Sequence, residues 1–350
     1  MNLIVTPELQ CPVPSSHYDC IVMAHGGGGR LMQNLLDEII RPAFDNEFLQ
    51  QRHDSAIVPV SGRCAFTTDS YVIRPLVFPG GDIGKLAVCG TLNDLAMAGA
   101  RPAYLSVGFI MEEGLPLALL RQIVDSMAMA AHQAGVRIVT GDTKVVERGK
   151  GDGLYINTSG IGVVETDLAL HHGSIRPGDA ILINGDVGRH GVAVMAHREN
   201  LEFETTLESD CADLSGLVAA LLEAGLPIHC MRDLTRGGLA TAVLELAADS
   251  RLGVVLEETA VDVPDAVEGA CALLGLDPLF VANEGRFILY LPEPSADFCL
   301  SLMQAHPLGA RARCIGRVVD TQNSCVLLHT ALGTTRRLLL PSGEQLPRIC

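Results

Sequence analysis

The stretch that decides the first half of the fold is residues 79–99, PGGDIGKLAVCGTLNDLAMAG. Its proline and glycines predict a turn, Asp82 is a typical helix N-cap residue, and apolar residues then recur at helical spacing up to Gly99. Residues 103–110, AYLSVGFI, are typical of a buried strand. The stretch therefore predicts a helix that leads into a strand, which is the unit of an α/β protein.

Elements of both kinds continue outward from this unit. In the first half we expect a helix over residues 31–40 that Pro42 interrupts, an extended segment over 66–77, a helix from Pro116 to Gly135, and strands over 136–140 and 154–164. In the second half we expect strands over 180–184, 254–256, 287–291 and 312–328, and helices near 188–198, 213–224, 237–249 and 295–305. The fold class predicted by this pattern is α/β (α+β).

The length of the chain, 350 residues, is large for one hydrophobic core, so two domains are expected. A boundary is predicted near the sequence HHGS at 171–174, because the α/β pattern restarts after it. The predicted organisation is an N-terminal extension, an N-terminal domain, a C-terminal domain and a mobile tail rich in proline and glycine. These parts are residues 1–21, 22–170, 171–337 and 338–350.

Composition excludes several classes of protein. The formal charge of −16 argues against nucleic acid as a partner, but backbone N–H groups, a few cations and Mg²⁺ can still hold a small phosphate ligand. No apolar run reaches the roughly 20 residues that a membrane span needs. The first residues lack the basic segment of a signal peptide. We therefore expect a cytoplasmic protein that does not contact membranes.

The eleven cysteines are widely spaced, and the nearest pair is Cys11 and Cys20. There is no C-x-x-C motif for a metal, so ten of the cysteines are interpreted as small buried hydrophobic residues. Cys350 is the exception. It is the last residue, and it follows a segment with two prolines and a glycine, so a place in the core is not expected for it.

Four consecutive glycines, residues 26–29, precede a predicted helix and offer backbone N–H groups to a phosphate. The segment lacks the residues of a Walker A loop and the G-x-G-x-x-G pattern. It is interpretable as a phosphate cradle, as a lid that orders on nucleotide binding, or as a purely structural turn.

Four aspartates occur where predicted strands end or within predicted helices and turns, namely Asp69, Asp94, Asp142 and Asp233. Taken singly, each is interpretable as a helix cap or an Asx-turn residue. Asp94 fits that interpretation least, because apolar residues flank it inside a predicted helix. Mg²⁺ with phosphate is a suitable partner for such carboxylates, and Lys144 and Arg236 would supply the cations. Glu284 precedes a predicted strand, and from the pattern alone it is interpreted as a solvated residue of a turn.

Taken together and in order, a set of short motifs resembles the HypE family of hydrogenase-maturation carbamoyl dehydratases. The motifs are AHGGGG (24–29), TTDSYV (67–72), PGGDIGK (79–85), ND (93–94), GFI (108–110), GDTKVV (141–146), RDLTRGG (232–238), ANEG (282–285) and PRIC (347–350). The resemblance extends from about Val22 to the last residue, and the terminal PRIC is its most specific part. Residues 1–20 lie outside it.

HypE proteins are grouped with aminoimidazole ribonucleotide synthetase, selenophosphate synthetase and thiamine-monophosphate kinase. The resemblance implies an N-terminal domain whose sheets pair across a homodimer, a C-terminal mixed α/β domain, and a site for ATP and Mg²⁺ near the junction. It implies that Cys350, Lys144 and Glu284 are catalytic and that the four aspartates bind the metal. The implied cofactor-binding residues are Gly26, Gly27, Gly28, Gly29, Asp69, Lys85, Asn93, Asp94, Asp142, Thr143, Asp233 and Arg236.

The reaction that the resemblance implies is ATP-dependent dehydration of a carboxamide on Cys350 to a thiocyanate, which would supply cyanide ligands for the NiFe-hydrogenase centre. Oxide is a poor leaving group, and transfer of the γ-phosphoryl group to the amide oxygen would make it a good one. The implied partners are the carbamoyltransferase HypF and the HypC–HypD complex, which accepts the cyanide.

Two alternatives remain open at the level of sequence. One is another ATP-using enzyme of the same superfamily, either a purine-pathway synthetase or selenophosphate synthetase. The latter would need a reactive cysteine beside a lysine in the N-terminal glycine loop, where His25 and Arg30 stand instead. The other is a non-catalytic metal or sulfur carrier, against which the wide cysteine spacing argues.

Overall fold

The computed structural model describes residues 18–199, 207–321 and 324–341. The strands of its first half are β1 Cys64–Tyr71, β2 Val77–Phe78, β3 Gly81–Asp82, β4 Ala100–Glu112, β5 Arg137–Val146 and β6 Leu154–Val164. Four of them form a sheet in the order β1-β6-β4-β5, in which β4 and β5 are parallel and the other neighbours are antiparallel. β2 and β3 form a separate two-stranded ribbon.

The helices of the first half cover one face of this sheet. They are α1 Arg30–Leu35, α2 Arg41–Ala43, α3 Ile83–Met97 and α4 Leu117–Gln133. Because side chains alternate along a strand, Val107, Phe109 and Met111 of β4 share a face, and they are buried in the same core as α3 and α4. On the opposite face Phe66 is 70% exposed and Ile110 is 41% exposed. That second face therefore carries exposed apolar side chains.

The start of α3 is the one that the sequence predicts. Oδ1 of Asp82 accepts hydrogen bonds from the backbone N–H groups of Gly84, at 2.8 Å, and Lys85, at 2.9 Å. Gly84 also sets the distance between the two long helices, since a Cβ atom there would lie 2.4 Å from the carbonyl oxygen of Ile123 in α4. Small residues in α3 therefore allow the close helix packing.

The predicted end of the first helix before Pro42 is wrong. A π-helical segment, Leu36–Ile40, joins α1 to α2, so the chain stays helical through Ala43. Pro42 has no N–H group to donate to the carbonyl of Glu38. That carbonyl instead accepts a hydrogen bond from Nη1 of Arg121 in α4 at 3.1 Å, which compensates for the missing helical bond.

The second half is built on a seven-stranded sheet. Its strands are β7 Asp179–Ile183, β8 Cys230–Asp233, β9 Gly253–Glu257, β10 Phe287–Pro292, β11 Arg313–Val319, β12 Val326–His329 and β13 Thr335–Arg337. Their order in the sheet is β13-β12-β9-β11-β7-β10-β8. The helices are α5 Arg189–Arg198, α6 Ser215–Glu223, α7 Gly238–Ser250, α8 Asp265–Leu274 and α9 Ala296–Ala305.

Helices cover both faces of this larger sheet. Ile181 and Ile183 of β7 belong to the core beneath α7, whereas the alternating residues Ala180 and Leu182 belong to the core beneath α6 and α9. Strands buried on both faces have nearly continuous apolar sequences, as ILI in β7 and FILYL in β10 show.

The predicted fold class is confirmed, although individual elements were missed. The strand over 154–164 matches β6, while β8, α8 and β13 have no counterpart among the predicted elements. The interpretation of the cysteines as buried is wrong for Cys64 and Cys314, which are exposed because they lie near the ends of β1 and β11. Within the described parts of the chain, no helix is long and apolar enough to span a bilayer.

Candidate active site

Three carboxylates converge where α3 meets β1 and β8. Asp94 lies near the end of α3, and its Oδ2 accepts a hydrogen bond from Oγ1 of Thr67 in β1 at 2.8 Å. Burial raises the pKa of Asp94, and the charge of Asp69 adds to the effect. Burial, followed by the charges of Asp94 and Asp69, raises the pKa of Asp233 at the end of β8 to about 7. Such mutually repelling carboxylates form a site suited to a cation.

The alternation of β1 explains why the cluster forms there. Thr67, Asp69 and Tyr71 share the face of the strand that lies against α3, as the bond from Thr67 to the helix shows. The hydroxyl of the buried Tyr71 lies so close to α3 that a Cβ atom at Gly90 would be 2.3 Å from it. Gly90 therefore allows β1 and α3 to approach closely enough for their polar residues to meet.

Glu284 lies in the loop before β10 and is 2% exposed, so its interpretation as a solvated residue is wrong. Within the described part of the chain, its Oε1 atom is buried and has no hydrogen-bond partner. Burial raises the pKa of Glu284 well above its ordinary value, and the charges of Asp210, Asp233 and Asp69 act in the same direction. A carboxyl group with such a high proton affinity is suited to proton transfer.

Besides Asp94, the residues of α3 that were predicted to bind the cofactor are Asn93 and Lys85. The amide of Asn93 is 2% exposed and is already engaged, since Nδ2 donates to the carbonyl of Ala212 at 3.1 Å and Oδ1 accepts from the N–H of Leu214 at 2.8 Å. Asn93 therefore joins the two halves of the molecule. Lys85 is half-buried, and its Nζ donates to the carbonyl of Gly80 at 3.0 Å.

The structure separates Asp142 and Lys144 from the carboxylate cluster within one chain. β5 is three strands away from β1, which is roughly 14 Å at the usual strand spacing. Across the sheet, Asp142 is aligned with Asn157 of β6 and Ser70 of β1. Side chains alternate along a strand, so Ser70 and Asp69 lie on opposite faces. Asp142 and Asp69 therefore also lie on opposite faces of the sheet. Lys144 donates a hydrogen bond to Asp142 and lowers the pKa of that carboxyl.

The glycine segment lies beside β5 and is therefore close in the fold to Asp142 and Thr143. A Cβ atom at Gly26 would lie 3.0 Å from the backbone nitrogen of Val145, so a larger residue there would crowd β5 and glycine favours this close approach. Gly28 has a φ of +74°, a conformation that glycine adopts readily. Gly27, Gly28 and Gly29 are exposed, which leaves their N–H groups accessible to a ligand.

The remaining predicted residues differ in their surroundings. Oγ1 of Thr143 is buried and lacks a partner among the residues that the structure describes, whereas Arg236 is exposed in the turn before α7. Cys350 lies outside the described residues. The prediction that it is the reacting residue therefore stays a prediction.

The predicted Mg²⁺ would need oxygen ligands, which the carboxylate cluster offers. Over residues 18–199, 207–321 and 324–341, no group of three or more His, Cys, Asp or Glu side chains is arranged to hold a metal ion alone. The raised pKa values of Asp94 and Asp233 and the unpartnered oxygen of Glu284 nevertheless show carboxyl groups whose ionised forms are not compensated by the neighbouring residues. The residues fit a cation that is shared with phosphate oxygens.

Sequence reasoning did not single out Thr67 or Asp210 as functional residues. Thr67 stood in a quoted motif, and its position two residues before Asp69 on a strand was the signal that they share a face. Asp210 lies far from Glu284 in the chain, within the sequence ESDCAD at 208–213, and nothing in the pattern connects the two.

Both halves of the chain match families of known proteins. Residues 52–164 match the N-terminal domain of the AIR synthase related proteins, and residues 176–328 match their C-terminal domain. Together with the two sheets and the carboxylates at their junction, these matches define a two-domain protein of the AIR synthase-related class.

Individual relatives identify the family within this class to which the chain belongs. The carbamoyl dehydratase HypE of Cupriavidus necator is 52% identical over 332 residues, which cover 94% of this chain and 95% of that protein. The crystal structure of hydrogenase maturation protein HypE in complex with ATP is 46% identical, with a TM-score of 0.91 over 94% of this chain and 99% of that one. A HypE–HypF complex is 44% identical, with a TM-score of 0.77 over 89% and 100% of the two chains. The chain belongs to the HypE family of carbamoyl dehydratases.

Proposed function

We propose that this chain uses ATP to dehydrate a carboxamide on its own Cys350, which yields a thiocyanate for the cyanide ligands of NiFe-hydrogenase. The observation that carries the proposal is the buried carboxyl of Glu284, which has no partner for Oε1 within the described residues and lies close to the cluster of Asp69 and Asp233. Such a group is ready to exchange a proton with a substrate that enters the junction. The membership of the family supports the same reaction.

In this reaction the amide oxygen of the carboxamide receives the γ-phosphoryl group of ATP, and ADP leaves. The C–O bond then breaks to release phosphate while the amide nitrogen loses its protons, which leaves the C≡N group on sulfur. Asp69, Asp94 and Asp233 would hold Mg²⁺ together with the phosphates, and this cation would offset their charge. Glu284 and Lys144 are the proposed proton-handling residues.

We also propose that the chain acts as a homodimer. The face of the first sheet that carries Asp142, Lys144 and Phe66 leaves these side chains exposed in the described part of one chain. Pairing of two such faces would bury the apolar residues. It would also place Asp142 and Lys144 at the interface between the subunits, which offers them a route to a site that they do not reach within one chain.

The proposed partners are a carbamoyltransferase of the HypF kind, which would load Cys350, and a HypC–HypD complex, which would accept the cyanide. The solved HypE–HypF complex supports the first of these. The crystal structure of the relative with ATP supports the nucleotide. A cytoplasmic location agrees with a partner set of this kind.

The experiment compares the unmodified protein with protein whose Cys350 carries a carboxamide, under single-turnover conditions with ATP. We expect faster ADP release from the loaded form and a C-terminal peptide that is lighter by one water, because an unmodified thiol offers no amide oxygen to the γ-phosphate. Equal ADP release by the two forms, with no loss of water, would contradict the proposal. The Cys350→Ala variant, treated in the same way, is the control for loading at other sites.

A further inference from the structure

Glu284 is positioned by its backbone. Its N–H donates to Oδ1 of Asp210 at 3.2 Å, and its carbonyl accepts from the N–H of Ala212 at 3.3 Å and from Nδ2 of Asn93 at 3.4 Å. Its Oε1 atom has no partner in the part of the chain that the structure describes. The backbone of Glu284 is therefore fixed in the junction, and the carboxyl group extends from this anchored backbone.

Asp210 belongs to a segment, residues 207–214, that we call the strap. Its carboxylate is 1% exposed and binds two successive amides, that of Glu284 through Oδ1 and that of Gly285 through Oδ2 at 3.1 Å. A Cβ atom at Gly285 would lie 2.0 Å from the carbonyl oxygen of Asp210, so glycine is required for this approach. The guanidinium of Arg286 lies 3.8 Å from the carboxylate.

The strap is itself anchored to the first half of the molecule. The N–H of Ser209 donates to the carbonyl of Pro79 at 2.8 Å, in the turn that starts α3. The N–H of Leu214 donates to Oδ1 of Asn93 at 2.8 Å, near the end of the same helix. The strap thereby ties Glu284, which belongs to the second half, to both ends of the helix that carries Asp94.

We propose that Asp210 is a positioning residue for the dehydration, because its carboxylate holds the backbone of Glu284 and so places that carboxyl group at the junction, near Asp233 and Asp69. This role rests on the proposed function, in which Glu284 handles a proton of the substrate. Small displacements of a reacting group lower rates strongly, since proton transfer requires hydrogen-bond distance. An aspartate that served only the fold would lower the melting temperature and leave the turnover of the folded enzyme unchanged.

The test measures loss of water from the carboxamide-loaded full-length chain in single turnovers, at saturating ATP and across ATP concentrations. We expect Asp210→Ala to lower the rate constant about tenfold or more, with half-saturation by ATP changed less than about twofold. Asp210→Asn keeps an acceptor oxygen for one amide and should recover part of the rate. The matched control is Asp213→Ala in the same strap, which should react like the wild type. Among the residues that the structure describes, Asp213 accepts only from the N–H of Ser215, at 2.9 Å.

A double variant shows whether Asp210 acts through Glu284. We expect Asp210→Ala combined with Glu284→Gln to be no slower than Glu284→Gln alone, whereas a further tenfold loss would overturn the proposal. A folded Asp210→Ala enzyme with the wild-type rate would overturn it as well. If Asp210→Ala does not fold, Asp210→Asn decides: a loss of about threefold or more at unchanged half-saturation supports the role, and a wild-type rate refutes it.

The outcome for Glu284→Gln separates this proposal from the one on which it rests. A wild-type rate in Glu284→Gln would remove the proposed role of Glu284, and the role of Asp210 with it. A slow Glu284→Gln beside a fast Asp210→Ala would leave the function intact and overturn the positioning role alone.

Discussion

Replacement of Asp233 by asparagine is expected to stabilise the protein in the absence of nucleotide and divalent cations. Burial and the charges of Asp94 and Asp69 raise the pKa of Asp233 from 3.8 to about 7. The folded protein therefore binds this proton more tightly than the unfolded chain does. The stability that the proton contributes is complete below about pH 4 and is lost as the pH rises towards 7.

The size of this change in stability follows from the shift in the pKa of Asp233. A difference of about three units corresponds to about 4 kcal/mol at pH values above 7, at about 1.36 kcal/mol per unit. Asp233 is partly exposed, so solvent screening reduces this figure, and we expect Asp233→Asn to gain about 1 to 2 kcal/mol at pH 8. The gain should shrink as the pH falls from 7 and vanish below about pH 4, because the wild-type carboxyl is then protonated in both states.

The assay is urea unfolding of both proteins at pH 8 and at pH 5, with a chelator and without nucleotide. Asp125→Asn is the control, since Asp125 is exposed on α4 and its loss should change the free energy of unfolding by less than about 0.5 kcal/mol. Equal or lower stability of Asp233→Asn at pH 8 would refute the repulsion inferred for the cluster. If Asp233→Asn raised the free energy of unfolding by the same amount at both pH values, the effect would not depend on the protonation of Asp233.

Three further outcomes are expected. Asp94→Asn should slow ATP turnover by about 10²- to 10³-fold, because the reaction loses a charge that would hold the metal and its phosphates, and wild-type turnover would return Asp94 to a structural role. Cys350→Ala should abolish the loss of water yet keep the wild-type melting temperature, and a labelled hydrogenase acceptor made by this variant would exclude Cys350 as the carrier. Gly285→Ala should lower the free energy of unfolding by about 1 to 3 kcal/mol, because the added Cβ would lie 2.0 Å from the carbonyl oxygen of Asp210. Gly216→Ala is the control, because a Cβ atom at Gly216 meets nothing within 4 Å. Equal effects of the two substitutions would show that the strap moves to make room for the Cβ atom added at Gly285.

Local chemistry made part of the fold predictable. The turn at 79–82, the N-cap at Asp82 and the helix that follows depend on residues close together in the chain, and the structure confirms them. β8 was missed because its sequence, CMRD, is short and half polar, and because pairing with β10 gives it its place. Pro42 misled the prediction, since a side chain of α4 compensates for the hydrogen bond that proline cannot make.

The candidate site was predictable as a set of residues and not as an arrangement. Four aspartates could be named from the motifs, but the separation of Asp142 from Asp69 follows from the strand order, which the sequence does not display. The burial of Glu284 depends on the strap and on Asn93, which are about 70 and 190 residues away in the chain. Long-range packing of this kind leaves no periodic signal around Glu284 itself.

The site is destabilising by its own charges, and the fold explains how it persists. Asp94 lies in a helix, Asp233 at the end of a strand and Glu284 in a loop. Each of these elements is held in place by hydrogen bonds other than bonds among the three carboxyl groups. The helix is capped by Asp82, and the loop is held by Asp210. Like charges can therefore remain close without moving apart, and a bound cation would release their repulsion without reorganising the site. The repulsion among these carboxyl groups lowers the stability of the protein and also prepares the site for phosphate and metal. A substitution that stabilises the protein there is therefore expected to slow its reaction.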